Sequence, residues 1–251
     1  MNTLGQEERE RYLRHLRIPA FGEKGQLKLK SGSALVVGAG GLGSAVLLYL
    51  AAAGVGKLGI VDSDVVELSN LQRQILHNTE NLGMQKTESA FNRLHALNPH
   101  VELKLYPQRF EKQNAEQIMQ EFSIVMDGTD NFETRFLIND VCVKLRKTYI
   151  YGAINQFHGQ VSVFDASKGA CFRCLYPYMP SDEVVAANKG VGVVGAVTGI
   201  IGSIEALECI KILTGIGNPL NGRMILLDGE QMEFREIQIR KRADCPVCAD
   251  Q

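Results

Sequence analysis

Two Cys-x-x-Cys pairs, Cys171/Cys174 and Cys245/Cys248, are separated by 70 residues, and a glycine-rich run, Gly38-Ala39-Gly40-Gly41-Leu42-Gly43, lies far upstream of both. Four thiolates in two such knuckles make a closed tetrahedral site for structural Zn²⁺. A closed four-cysteine site leaves no open position for substrate, so its role is to clip the far end of the chain onto its middle. Four free cysteines or two redox pairs are the alternative. Cys142 and Cys209 sit in helical stretches with apolar neighbours and read as small buried residues.

The glycine-rich run follows a short apolar strand and opens a helix, which is the arrangement of a dinucleotide-type phosphate turn. Glycines allow the tight turn and a close backbone approach. The helix N-terminus supplies free N–H groups and partial positive charge. Gly38, Gly40, Gly41 and Gly43 are the candidate phosphate-contacting positions. Asp62 lies 19 residues beyond Gly43 at the end of the next strand, where a carboxylate can accept hydrogen bonds from ribose hydroxyls. A turn of this kind does not by itself separate NAD, FAD, S-adenosylmethionine and ATP, and a tight turn without any ligand would share its glycines.

Cations bear on that choice. Ser69-Asn70-Leu71-Gln72-Arg73-Gln74 follows Asp62 closely, and Lys86 comes 13 residues after Arg73. A diphosphate bridge is held largely by a helix N-terminus. A triphosphate carries more charge, and its cleavage calls for cations on the leaving pyrophosphate, which Arg73 and Lys86 can supply. Asp130, at the end of a later strand, can hold Mg²⁺ together with phosphate oxygens. Taken singly, Arg73 and Lys86 also read as ordinary surface charges.

These groups need a scaffold, and the chain reads as α/β. Helical segments are expected over Glu7–Leu16 and Glu23–Lys30, a strand over Ser33–Val37, and a helix over Leu42–Ala53 capped by Gly54. Leu58–Val61 closes a βαβ unit, which implies a parallel sheet. Helix Gln85–Leu97 stops at Asn98-Pro99. Strand Val101–Tyr106, helix Gln113–Glu121, strand Ser123–Met126, helix Asn131–Arg146 and strand Thr148–Tyr151 continue the alternation. Gln160–Phe164 then reads as antiparallel, Gly169–Lys189 as irregular, and Val193–Leu213 as a long apolar helix. Arg223–Asp228 and Met232–Lys241 read as a hairpin around Gly229. The expectation is a Rossmann-like, mostly parallel sheet running on into antiparallel strands, with helices on both faces and a zinc clip. One domain spans 1–251: a helical segment 1–31, a nucleotide-binding part 32–152, and a mixed-sheet, zinc-binding part 153–251.

Composition narrows the function classes. The 251 residues are 45% apolar and carry a net charge of −1 from 27 basic and 28 acidic side chains. That balance offers nothing to nucleic acid or an anionic membrane surface. The longest uncharged apolar run, Gly190–Ile204, is 15 residues, short of the ~20 that span a bilayer. Met1–Arg17 is charged and polar, unlike a signal peptide. Paired cysteines without such a signal favour metal over disulfide and a cytoplasmic location.

Together these residues resemble the HesA/MoeB/ThiF family, bacterial relatives of ubiquitin-activating enzymes. The resemblance covers nearly the whole chain. It is most specific at Leu68-Ser69-Asn70-Leu71-Gln72-Arg73-Gln74 together with Gly38–Gly43. Asp127-Gly128-Thr129-Asp130-Asn131 resembles the family's Asp-Cys-Thr-Asp-Asn, with Gly128 in place of cysteine. Cys171-Phe172-Arg173-Cys174 and Cys245-Pro246-Val247-Cys248 are similar to its zinc knuckles, and Arg11-Tyr12-Leu13-Arg14-His15 to its N-terminal Arg-Tyr-x-Arg-Gln.

The resemblance implies a homodimer that uses ATP and Mg²⁺ to adenylate the C-terminal Gly-Gly carboxylate of a ubiquitin-like sulfur carrier protein, in molybdopterin or thiamine biosynthesis. It implies that Asp62 binds ribose and Gly41 approaches the phosphates. Ser69, Asn70, Arg73, Lys86 and Asn131 hold the nucleotide, Asp130 binds Mg²⁺, and Arg14 reaches the partner subunit's ATP. The chemistry asks for no general base, because a C-terminal carboxylate with a pKa of about 3.5 is already ionised at pH 7. Catalysis then rests on in-line positioning and charge stabilisation, and losing Lys86 or Arg73 is expected to cost ~10²–10³-fold in turnover.

Some family members carry a cysteine before their Gly-Val-Val-Gly segment; alignment on Gly192-Val193-Val194-Gly195 puts Asn188 there. The expectation is therefore an enzyme that stops at the acyl-adenylate. With the sequence ending just after the second knuckle, a separate sulfurtransferase or cysteine desulfurase is expected to supply sulfur. The carrier is expected to dock on the sheet face and Tyr176–Gly190. Competing readings are a nicotinamide-dependent oxidoreductase, which leaves Arg73, Lys86 and the cysteines unexplained, a non-catalytic carrier-binding scaffold, and adenylation of a different carboxylate substrate.

Overall fold

A computed structural model describes residues 3–188 and 190–249, without the Asn188 side chain. One eight-stranded sheet runs through it in the order β3-β2-β1-β4-β5-β6-β7-β8. The strands are β1 (Ser33–Val37), β2 (Lys57–Val61), β3 (Glu102–Tyr106), β4 (Ile124–Asp127), β5 (Thr148–Asn155), β6 (His158–Phe164), β7 (Arg223–Asp228) and β8 (Glu233–Gln238). From β3 to β5 every pairing is parallel. From β5 to β8 every pairing is antiparallel. The α/β front and mixed back expected from the sequence are thus one continuous sheet.

The central strands are apolar runs because both faces are covered: Ala34, Leu35, Val36 and Val37 are all buried. Helices α3 (Gly22–Ser31), α4 (Gly41–Ala53), α5 (Lys86–Leu97) and α10 (Gly195–Thr214) cover one face, where Leu47, Leu50, Ile150 and Ile201 share a core. Helices α6 (Ala115–Met119), α7 (Phe132–Leu145) and α8 (Phe172–Leu175) cover the other, around Phe122, Phe136, Tyr149 and Phe172. At the outer edge β8 is exposed along its length, and Glu233, Arg235 and Glu236 blunt it with charge. No helix among the described residues is long and apolar enough to cross a membrane.

Several boundaries differ from expectation for physical reasons. The N-terminal helix is two pieces, α1 (Gln6–Arg11) and α2 (Leu13–Leu16), broken at Tyr12. The Tyr12 side chain is buried and its hydroxyl accepts from Asn98 Nδ2 at 2.8 Å, so the chain turns to seat it. Strand β5 runs four residues past Tyr151, through Gly152, where a side chain would lie 2.5 Å from the Glu205 carboxylate of α10. The stretch 169–189, expected to be irregular, holds α8 and the short α9 (Asp182–Asn188).

Candidate functional site

The strand order reverses direction between β1 and β4. The turns leaving these strands diverge there and open a crevice at the C-terminal ends of the parallel strands. The two turns touch backbone to backbone. Gly38 has φ +100°, and a Cβ there would fall 2.5 Å from Gly128 O. A Cβ on Gly128 would fall 2.3 Å from Gly38 O, so glycine suits the position where the family has cysteine. Gly43 is equally constrained: a Cβ would meet Gly38 O at 2.0 Å. Gly40 caps α4, whose first N–H groups receive no side-chain cap among the described residues. They open onto a cleft lined by Gly38, Gly40, Gly41 and Leu42. An uncapped 13-residue helix N-terminus behind glycines is an anion site in the making.

Asp62 lines this cleft. Its carboxylate also braces the turn, accepting from Ala39 N and from Asp64 N at 2.8 Å each. Lys86 begins α5 with its side chain only 7% exposed, and Nζ donates to Asp64 Oδ2 at 3.0 Å. Arg73 also lines the cleft and donates to Ser69 O at 3.1 Å. Asp130 and Asn131 stand on the opposite wall; Asp130 is exposed, and Asn131 Oδ1 caps α7 by accepting from Thr134 N at 2.9 Å.

Four candidates do not line the cleft. Ser69 and Asn70 form a 3-10 turn in which Asn70 Oδ1 accepts from Glu67 N at 3.3 Å, and Asn70 O accepts from the backbone of both Arg73 and Gln74. They shape the segment that carries Arg73. Gly43 lies behind the turn, and Arg14 is exposed on α2.

Sequence reading assigned no role to Asp64, Asp127 or Glu205. Asp64, the Lys86 partner, sits two residues past Asp62, and that spacing was its only signal. Asp127 is fully buried and accepts four hydrogen bonds: from Thr129 N (2.9 Å), Thr129 Oγ1 (2.6 Å), Tyr149 OH (2.7 Å) and Arg135 Nε (3.2 Å). Arg135 also donates to Thr129 O at 3.0 Å, so this network fixes the loop that presents Asp130. Burial and then the Asp127 charge push the Tyr149 hydroxyl well above its ordinary pKa, so it stays a donor. Glu205 is buried on α10, and neither of its carboxylate oxygens is hydrogen-bonded among the described residues; burial, then Asp127, push its pKa well up.

The cleft encloses about 2150 Å³ and continues from the turn across β6 and β7. Its far reach is lined by His158, Gln160, Tyr176, Val185, Leu226 and Arg235. Nucleotide-sized ligands occupy pockets of roughly 300–1,000 Å³, so a second, extended ligand has room beside one.

The knuckles converge as their spacing suggested. Cys171 Sγ lies 3.6 Å from Cys245 Sγ, and Cys174 Sγ lies 3.5 Å from Cys248 Sγ. All four sulfurs are buried and within 4.8 Å of one another. Tetrahedral bonds of about 2.3 Å put sulfurs about 3.8 Å apart, so the four residues fit Zn²⁺. Arg242 N donates to Cys174 Sγ at 3.4 Å. Cys142 and Cys209 are buried within α7 and α10, apart from this cluster. The Asn188 side chain and Lys189 lie outside the described residues.

Residues 12–247 match the ThiF family. A sulfur carrier protein adenylyltransferase of Thermus thermophilus is 46% identical over 250 residues, 98% of this chain and 92% of that protein. The adenylyltransferase and sulfurtransferase MOCS3 of Aedes aegypti is 46% identical over 251 residues, so the chain spans little more than half, 57%, of that longer relative. Among solved structures, E. coli MccB with ATP superposes with a TM-score of 0.83 at 21% identity, over 98% of this chain and 76% of that one. MccB with MccA-N7isoASN gives 0.86 at 20% identity, over 99% and 76%. At that identity the two structures bear on the fold.

Proposed function

Because this chain belongs to the ThiF family, we infer that it adenylates the C-terminal carboxylate of a ubiquitin-like sulfur carrier protein with ATP, releasing pyrophosphate. It is an adenylyltransferase, as are relatives that match it over almost its entire length. The observation that carries the substrate reading is one cleft that joins an uncapped helix N-terminus and two cations to a long groove over the antiparallel strands.

In this reading the α4 N-terminus and Gly38–Gly41 hold phosphates, and Asp62 uses its remaining lone pairs on ribose. Lys86 and Arg73 take up charge on the departing pyrophosphate, and Asp130 would hold Mg²⁺. The carrier's ionised C-terminal carboxylate enters along the groove and attacks the α-phosphorus in line. Nothing in the cleft has to remove a proton from it, so positioning and charge stabilisation are the work of the site. The four cysteines would hold a structural Zn²⁺ that fixes α8 and the second knuckle beside the groove. The working unit is a homodimer in the cytoplasm, with Arg14 given to the partner subunit's nucleotide. With Asn188 at the family's cysteine position, the reaction ends at the acyl-adenylate.

ATP–pyrophosphate exchange, run with purified carriers ending in Gly-Gly from the molybdopterin and thiamine pathways, tests this. Carrier-dependent exchange is expected, and the active carrier identifies the pathway. ATP binding without exchange on any carrier would overturn the substrate assignment.

A further inference from the structure

His77 is buried, 6% exposed, and touches three parts of the proposed nucleotide site. It belongs to the segment that carries Arg73, its backbone N–H donating to Gln74 O at 3.0 Å. Its Nδ1 pairs with Ser89 Oγ at 2.8 Å, one turn along α5 from Lys86. Its Nε2 lies 2.9 Å from Ala39 O, in the middle of the glycine turn. A carbonyl oxygen only accepts, so Nε2 carries the proton and donates it.

That last bond has a directional consequence. In a planar trans peptide the C=O and the following N–H point in opposite directions. With Ala39 O drawn inward to His77, the Gly40 N–H points the other way. Gly40 lines the cleft and His77 does not. Ala39 N is tied independently, to Asp62 Oδ2 at 2.8 Å, so both peptide planes flanking Ala39 are held. Glycine on either side of Ala39 makes this stretch of backbone easy to rotate, and such bonds are what prevent it.

We propose that His77 is a positioning residue that aims the Gly40 backbone N–H at the nucleotide phosphates by holding the Ala39 carbonyl, and so couples the phosphate turn to the helix that carries Lys86. The proposal rests on the nucleotide reading of the cleft and is independent of which carrier is used. His77 acts through the backbone and does not touch the reacting atoms.

Two variants separate positioning from packing. His77→Phe keeps a ring and removes both hydrogen bonds. His77→Gln places an amide N–H where Nε2 stands. Affinities for ATP and for adenosine, measured by calorimetry, provide a readout that mere structural support would not split. In His77→Phe, ATP affinity should fall about tenfold, the scale of one hydrogen bond to a charged group, with adenosine affinity within about twofold of wild type. His77→Gln should recover most of the loss. Unchanged ATP affinity in His77→Phe would overturn the proposal. So would an equal loss for ATP and adenosine, or a Gln variant no better than Phe. Wild-type protein that binds no ATP would overturn it together with the nucleotide reading. The ATP–adenosine split without any carrier-dependent exchange would sustain His77 and sink only the carrier assignment.

Discussion

Replacing Lys86 with methionine should cost turnover far more than stability. Methionine keeps an unbranched side chain of similar reach at this buried position, and it removes only the ammonium. That ammonium sits 3.0 Å from Asp64, whose side chain is 68% exposed. Losing the lysine therefore frees a carboxylate that water can solvate at once. A half-exposed pair of this kind is worth about 0–1 kcal/mol, and an apolar replacement of a buried charge is often neutral. The folded state should lose no more than about 1 kcal/mol, or a fall of ~2–4 °C in Tm for a chain of this size.

The transition state is different. Charge accumulates on the departing pyrophosphate, and a charged donor lost there costs about 2.7–4 kcal/mol, ~10²–10³-fold in kcat. Ground-state ATP affinity should fall less than kcat, because the contact strengthens as charge develops on the leaving group. Carrier-dependent pyrophosphate exchange at saturating ATP, with a melting curve on the same samples, measures both sides. Turnover within about threefold of wild type would refute the assignment of Lys86 to the leaving group. A loss of stability as large as the loss of turnover would show that the lysine holds the fold and not the reaction.

Other outcomes follow from the same geometry. Gly43→Ala places a Cβ 2.0 Å from Gly38 O, side chain against backbone with no flexible end to yield. The variant should lose ATP binding by calorimetry and ~1–3 kcal/mol of stability, as overpacked sites do. Purified protein should carry one zinc per chain by elemental analysis, and Cys248→Ser should lower both zinc content and Tm, the latter by ~10 °C if a few kcal/mol are lost. Burial and then Asp127 push the pKa of Glu205 well up in the folded protein, whereas in the unfolded chain it ionises above about pH 4.3. The unfolded state then binds fewer protons than the folded state, so this residue removes up to about 1.4 kcal/mol of stability per pH unit as pH rises above that value. Glu205→Gln, a neutral isostere, should match wild-type Tm near pH 4.5 and exceed it at pH 8; equal Tm values at both would count against a neutral Glu205.

The sheet's parallel half was legible because its apolar runs, glycine turn and helix caps are local signals. The knuckles were legible because two Cys-x-x-Cys pairs in one chain suit a tetrahedral metal site better than any packing role. Packing decided what local signals could not. Gly152 reads as the end of a strand, yet β5 continues because Glu205, 53 positions later, fills the space its missing side chain leaves. Asn131 and Asn70 read as ligand residues, and the fold gives one a helix to cap and the other a 3-10 turn to shape. Asp127, Arg135 and Tyr149 form a network that exists only because β4 and β5 are neighbours. His77 likewise gains meaning only once α5 and the glycine turn are packed against the same ring.

The division of the sheet gives one cleft two unlike surfaces. Parallel strands must return by crossover helices, so their C-terminal ends carry turns and helix N-termini that suit phosphate. Hairpins join β5 to β6 and β7 to β8, and the long link from β6 to β7 sends α10 over one face only, so strand surface on the other lines the cleft. From β5 onward the pairing is antiparallel, and the cleft passes from glycine turn to open strand surface at that change. In the proposed function, a nucleotide on the parallel side and an extended chain on the antiparallel side meet over β4 and β5. Asp130 is presented there by the buried Asp127 network, and Arg73 and Lys86 line the same cleft. Such a site is suited to joining two anions through fixed dipoles and basic side chains, and a carboxylate attacking a phosphoric anhydride needs nothing more.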